Sequence, residues 1–454
     1  MENLNSLLAI SPIDGRYRNI TKNISEYFSE YAYIKYRVFV EIDWLNYLLH
    51  MKEITGEIHD YTSIFNEIKN KFDVKQAERV KEIESKTNHD VKAIEYYVRE
   101  KLEEYSLDRF CYLVHFACTS EDINNIAYGK MIKDFMNNIL FKNIEELMDT
   151  VKKEAKELSN IPMLGHTHGQ NATPTTVGKE FAVFIYRWNS IYEYIKNIKL
   201  KGKFSGAVGN FNGHVIAYPE IDWINVCKDF VNKQGLEFNP LTTQIESHDM
   251  ICMLFSYMKL FNNVTMDFNS DMWIYISRGD FKQKTVSGEV GSSIMPHKVN
   301  PINHENSMAN IRISNSIFES LATNLQISRM QRDLSDSSML RNIGVGFAHT
   351  IVSIKQTIKG FTKMEVNRNK LEKELEEAPE VLAEAIQTIL RKNGYNNAYE
   401  LLKELTRGKE ISIEEIRKFV STLEINEKDK ETLMNLTPKK YIGLAETLAN
   451  TDYW

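Results

Sequence analysis

Proline placement constrains this chain more than any other feature: after Pro12 there is none until Pro162, and after Pro301 none until Pro379. Proline lacks a backbone N–H and its ring clashes with the carbonyl four residues back, so long tracts without it favour helices. Between 249 and 278 the apolar residues Ile251, Leu254, Met258, Phe261, Phe268, Met272 and Tyr275 recur at spacings of three, four or seven, as one face of a helix requires. At 1.5 Å per residue such a helix is a rod of about 45 Å. Met253, Val264, Trp273 and Ile274 lie off that face, so a second side should also be covered, by sister helices or by another subunit. Glycine and proline gather instead in four breaks, at 11–17, 161–178, 202–218 and 288–301, which are the expected loops. Beyond about 365 the chain is rich in Glu and Lys and is divided by Gly408 and Pro438 into short segments, as a small C-terminal helical domain would be.

A chain of 454 residues exceeds what one core usually supports, so two or three domains are expected. Lys and Arg number 56 against 62 Asp and Glu, a net charge of -6, which is not the balance of a nucleic-acid coat. No window approaches the roughly 20 apolar residues that span a bilayer, and the N-terminus lacks the basic and apolar order of a secretion signal. The cysteines at 111, 118, 227 and 252 sit in apolar contexts and read as buried thiols in a reducing, cytoplasmic setting. Gly344-Val345-Gly346 lacks the third glycine of a dinucleotide fingerprint, and no glycine-rich loop ends in Gly-Lys-Ser or Gly-Lys-Thr. His166-Thr167-His168 could bind a metal, but no acidic or cysteine ligand lies at customary local spacing. No metal site is expected.

The break 288–301 reads GEVGSSIMPHKVNP. Its glycines allow close backbone approach to a ligand, a Gly-Ser-Ser segment can close as a lid, and Lys298 and Asn300 supply donors for a carboxylate. Composition alone leaves two readings open: an anion-binding lid, or a solvent loop with incidental Ser and Lys.

The order of residues adds more. The run Gly291-Ser292-Ser293-Ile294-Met295-Pro296-His297-Lys298-Val299-Asn300-Pro301 resembles the signature of the fumarase/aspartase superfamily of lyases, and His297 is similar to the version in adenylosuccinate lyases. Ser11–Tyr17, Thr87–Lys92, Thr119–Asn125, Thr167–Gln170, Gln331–Leu334, Leu340–Asn342 and Lys403–Gly408 also resemble segments of the bacterial-type members. The likeness runs from about Ser11 to Gly443. It implies an all-α, fumarase/aspartase-like fold of three helical domains, at 1–115, 116–364 and 365–454, with a long central helical bundle. It also implies elimination of fumarate from a succinyl-amino group, on adenylosuccinate to give AMP or on succinylaminoimidazole carboxamide ribotide to give AICAR. No cofactor is required by that chemistry, and a homotetramer with active sites shared among three chains is implied.

Removing a proton next to a carboxylate builds negative charge on it, so a base and fixed donors are needed. By resemblance Ser292 is the base, with Lys298 and Asn300 beside the substrate carboxylate. A hydroxyl is a poor base in water and needs desolvation and a nearby positive charge. The departing nitrogen must be protonated, and a histidine is the natural acid near neutrality; His168 matches the family's acid. His166 reads as a loop-stabilising neighbour. Asn88, His89 and Asp90 fall close to substrate by family position, although His89 could equally be a helix-start residue. Thr119 to Asp122 fits a capping box, a role compatible with Thr119 and Ser120 touching substrate. Arg16, Tyr17, Arg332, Ser337 and Arg341 suit a nucleotide phosphate and carboxylates, because guanidinium groups bind such anions in bidentate fashion. Gln244 and Asn306 match further contact positions. Three competing readings remain: another superfamily lyase, such as one acting on argininosuccinate, which Arg16-Tyr17 opposes; a non-catalytic helical scaffold, which the intact signature opposes; and a metal hydrolase built on His166 and His168, which the helical pattern opposes.

Overall fold

The computed structural model describes residues 5–284, 294–295, 298–406 and 411–453. Its frame is a set of helices: α1 (Glu30–Leu49), α2 (Asp90–Glu104), α3 (Ser120–Phe135), α4 (Phe141–Glu157), α5 (Val177–Asn197), α6 (Asp249–Arg278), α7 (Ile302–Asn324), α8 (Ser335–Leu340) and α9 (Ile343–Thr362). No helix among the described residues is long and apolar enough to cross a membrane. The chain divides into two compact units built from interleaved segments, the first from 1–144, 192–263 and 309–353, the second from 145–191, 264–308 and 354–454.

α6 is the helix that the periodicity predicts. Ile251, Leu254, Met258, Phe261, Phe268 and Met272 are at most 5% exposed, and Val264 is buried with them. Met253, Leu260, Trp273 and Ile274 remain 38–50% exposed. One face of α6 is therefore satisfied within the chain, while Met253, Leu260 and Ile274, spaced by seven and fourteen, share a second face that stays exposed; Trp273 points away from it, its Nε1 donating to Glu305 at 3.0 Å.

In the first unit, Ser29 caps α1 by accepting the N–H of Ala32 at 3.1 Å. α1 then buries Ile34, Trp44, Leu45 and Leu48. Trp44 meets Phe204 and Phe230 at ring-centroid distances of 4.6 and 5.0 Å, and Tyr33 meets Tyr128 of α3 at 4.4 Å. Buried Asn262 of α6 donates to Ser314 of α7 and to Thr350 of α9, both at 3.1 Å.

In the second unit, Phe181, Phe268 and Phe361 pack edge to face or tilted, with centroids 5.1–6.5 Å apart. Here Asn269 repeats the polar layer seven residues after Asn262. It donates to Ser307 at 3.2 Å and Thr357 at 2.9 Å, and its side-chain carbonyl accepts from His304 Nδ1 at 2.8 Å. Burial pulls the His304 pKa down to about 4, so the ring is neutral and its proton sits on Nδ1. Near the C-terminus, Leu382, Ile386, Leu390, Leu402, Val420 and Leu433 form a core of their own.

Two of the expected loops contain regular structure. Residues 202–218 include a short helix, Asn212–Ala217. Residues 161–178 form a hairpin, β1 (Pro162–Thr167) and β2 (Gln170–Thr176), with Thr167 opposite Gln170. The physical reason is local. The threonines of Thr173–Thr176 suit a pleated strand, and Gly165 lets the strands approach, since a Cβ there would lie 2.4 Å from the Thr173 carbonyl oxygen.

Candidate active site

The hairpin aims His168. Only His168 and Gly169 separate the strands, and both take positive φ, 53° and 73°. This is the pattern of the two-residue turn whose twist matches the flanking strands. His168 is thereby exposed at the tip. His166, two residues earlier on β1, is half-buried, and its Nε2 lies 2.9 Å from Arg278 Nη2. A guanidinium only donates, so that nitrogen acts as acceptor. Burial and the Arg278 charge both lower the His166 pKa. A neutral ring with its lone pair occupied fits the loop-stabilising reading. Lys298 is exposed, while Asn300 and Asn306 are half-buried, Asn306 on α7. Ser292 and His297 lie outside the described residues.

In the first unit the structure gathers Gln244, Arg332 and Ser337. Arg332 Nη1 donates to Gln244 Oε1 at 3.2 Å, and Nη2 donates to Ser337 Oγ at 3.0 Å. The same Nη2 pairs with Glu121 Oε1 at 2.9 Å and lies 3.8 Å from Asp336 Oδ1. Gln244 is anchored in turn, its Nε2 donating to the Ala207 carbonyl at 3.0 Å. Burial pushes the Glu121 carboxyl up, and Arg332 and Asn124 only partly offset it. Asp336 behaves oppositely: burial acts to raise it, but His248 and Arg332 outweigh burial and hold it below the usual range. Thr119 and Ser120 open α3, where the expected capping box forms and the Asp122 carboxylate accepts the Thr119 N–H at 2.8 Å.

A second group centres on Asp90. Asn88 ends the preceding helix in the left-handed conformation, φ 52°, which asparagine tolerates better than most residues. His89 caps α2, its Nδ1 accepting the N–H of Lys92 at 3.1 Å, while the ring stays exposed. Asp90 Oδ2 pairs with Arg37 at 2.8 Å and faces Arg341 at 3.9 Å. Burial works to raise the Asp90 carboxyl, but Arg37 and the Val91 N–H outweigh it and hold it low. Arg341 is exposed, 3.6 Å from Glu30, and borders a cleft with Phe28, Tyr33 and Tyr128. Tyr17 is half-buried and accepts from Asn310 at 3.5 Å. Arg16 is exposed and makes no hydrogen bond to the other candidates among the described residues.

Comparison with known proteins places this arrangement. The lyase family matches residues 15–314, and the adenylosuccinate lyase C-terminal family matches residues 328–442. Adenylosuccinate lyase of Legionella pneumophila (strain Corby) is 47% identical over 449 residues, covering 98% of this chain and 98% of that one. The chain belongs to the adenylosuccinate lyase family. The Escherichia coli (strain K12) member is 45% identical over 451 residues, with 98% and 99% covered. Among solved structures, a fumarate lyase from Mesorhizobium sp. BNC1 superposes with a TM-score of 0.74 at 18% identity, over 94% of this chain and 96% of that one. The 3-carboxy-cis,cis-muconate lactonizing enzyme from Pseudomonas putida reaches 0.71 at 17% identity, over 94% and 95%. These two likenesses establish the fold, which is the all-α, fumarase/aspartase-like one, and membership of the family makes the protein a lyase.

Arg37 and Asp336 lie outside every segment singled out from the sequence, and Glu121 lies within Thr119–Asn125 with no role assigned to it there. A signal for Arg37 was present. With Glu41 it interrupts the α1 stripe Ile34, Leu45 and Leu48 at helical spacing, and both are at most 2% exposed. Charges on a buried stripe need partners. Glu41 finds His115, whose Nδ1 lies 2.5 Å from Glu41 Oε1 and whose Nε2 lies 3.9 Å from Glu95.

Proposed function

We propose that this lyase eliminates fumarate from adenylosuccinate, giving AMP, and from succinylaminoimidazole carboxamide ribotide, giving AICAR. The observation that carries the proposal is identity of 45–47% with adenylosuccinate lyases across 98% of the chain. In this reading Ser292 removes the proton beside the substrate carboxylate, and Lys298 and Asn300 stabilise the charge that develops there. His168 protonates the departing nitrogen; its place at the tip of a tight hairpin supports that role, because a short turn holds an exposed ring on a defined vector. Arg332, Ser337 and Gln244 form one anion-binding group, and Arg16, Tyr17, Asn88, His89, Asp90, Thr119, Ser120, Asn306 and Arg341 contribute the remaining substrate contacts. The three-domain division at 1–115, 116–364 and 365–454 belongs to the same reading.

Assembly and setting follow from it. The uncovered face of α6, with Met253, Leu260 and Ile274, supports a homotetramer in which each active site draws on three chains. A cytoplasmic location is supported by the free thiols of Cys111, Cys118, Cys227 and Cys252, since reducing compartments preserve them. The deciding assay is release of fumarate from adenylosuccinate by the purified, folded protein. Substrate turnover with AMP and fumarate as products is expected, and a folded protein that releases no fumarate would refute the proposal.

A further inference from the structure

We infer that Arg37, Asn124 and Glu121 are positioning residues, forming a buried chain that sets the two arginines offered to the substrate's anions. This rests on the reading that Arg332 and Arg341 bind those anions. The connection runs entirely through side chains of the first unit. Arg37 Nη2 donates to Asp90 Oδ2 at 2.8 Å, and Arg37 Nε donates to Asn124 Oδ1 at 2.9 Å. Asn124 Nδ2 donates to Glu121 Oε1 at 2.5 Å, and that same oxygen receives Arg332 Nη2 at 2.9 Å. At the other end Asp90 faces Arg341. The Arg37 guanidinium lies over the Tyr33 ring, 3.5 Å from its centroid, and Arg341 approaches the same ring at 5.3 Å.

The burial and chemistry of these links argue for more than cohesion. Arg37 and Glu121 are each 2% exposed and Asn124 is 6% exposed, so none can swing out to solvent. Buried charge pairs often add little net stability over an apolar core of the same volume, which leaves orientation as the property they supply. Arg37 uses separate edges of its planar fork to reach α2 through Asp90 and α3 through Asn124, and an ammonium group cannot reproduce both directions. Along the chain the charges alternate, Asp90, Arg37, Glu121, Arg332, so each cation is held beside a carboxylate before any anion arrives. Arg332 keeps spare capacity: its buried Nε has no hydrogen-bond partner among the described residues.

The test is a double-mutant cycle read by AMP affinity and by KM and kcat for adenylosuccinate on the full-length enzyme. Arg332→Gln should weaken AMP binding. Glu121→Gln, which keeps shape and removes charge, should weaken AMP binding and raise KM about ten- to a hundredfold, with kcat much less affected, as expected when a binding group is misplaced by a fraction of an ångström to an ångström. In the Arg332→Gln background the same Glu121→Gln change should cost almost nothing further, because its effect passes through Arg332. Arg37→Lys should likewise raise KM, and if that variant does not fold, the Glu121 cycle decides alone. Equal effects of Glu121→Gln in both backgrounds, or a lowered Tm with KM unmoved, would overturn the inference while leaving Arg332 as an anion ligand. If Arg332→Gln leaves AMP affinity unchanged, the ligand reading of Arg332 fails, and the inference falls with it.

Discussion

A few side chains in this protein are placed where only one protonation state or one direction makes sense. His166 accepts from Arg278, whereas His168 has no such partner among the described residues and sits at a turn whose φ it adopts at some cost. Of the two, His168 can present a proton outward. Replacing Ser292 or His168 by alanine should lower kcat about 10²- to 10⁴-fold, the usual reach of general acid and base catalysis, with a smaller change in KM. Turnover within a few-fold of the parent would remove that residue from its role. His115 supports a different expectation. Burial lowers its pKa, but Glu41 and Glu95 outweigh burial, and the net shift is upward from 6.5. A raised folded pKa means that the stabilisation is fully present below the unfolded value, near 6.5, and is lost as pH rises through the higher folded value. Tm should therefore decline with rising pH across that window. In His115→Gln this part of the decline should flatten, and an unchanged Tm profile would exclude the His115 pairing as its source.

At the scale of elements, the β1–β2 turn and the helix-crossing polar layers carry separate consequences. An alanine Cβ at Gly169 meets nothing within 4 Å, so the substitution only forces a side chain into φ +73°, costing about 1–2 kcal/mol. Gly56 has φ +80° and equally open space, but caps a short helix, Lys52–Thr55. Gly169→Ala and Gly56→Ala should lower Tm by similar amounts, and Gly169→Ala alone should lower kcat, through displacement of His168. Parallel loss of kcat in both would separate the hairpin from catalysis. The layer around Asn269 makes a stability prediction. Asn269→Leu removes the acceptor of the buried His304 Nδ1–H and one donor each to Ser307 and Thr357, at about 1–3 kcal/mol for the His304 N–H left unpaired. The denaturant midpoint should fall accordingly with activity per folded molecule retained.

For the whole molecule, the exposed apolar residues of α6 set the expectation. Light scattering should report four copies, and Met253→Arg or Leu260→Arg should shift the mass downward and abolish activity together, since a charge in an apolar contact is costly. Monomeric but fully active variants would show that each site is complete within one chain. Mixing inactive Ser292→Ala chains with inactive His168→Ala chains should restore part of the activity if the base and acid come from different copies. No recovery after verified subunit exchange would place them in the same copy.

What the sequence determined by itself was whatever depends on near neighbours. Proline exclusion and three-four spacing marked the helix Asp249–Arg278, Thr119 and Asp122 announced a capping box, and the order of residues in 288–301 named the family. The hairpin at 161–178 was legible only as a break, because one glycine and a two-residue turn do not reveal strands until the opposing segment is in place. The tertiary structure alone decided the charge pairing. Arg37 and Asn124 are 87 residues apart and Arg332 lies further still along the chain. Hydrophobic periodicity says which face a charged residue shares, but a buried charge takes its partner from another element, and that choice depends on how the helices pack.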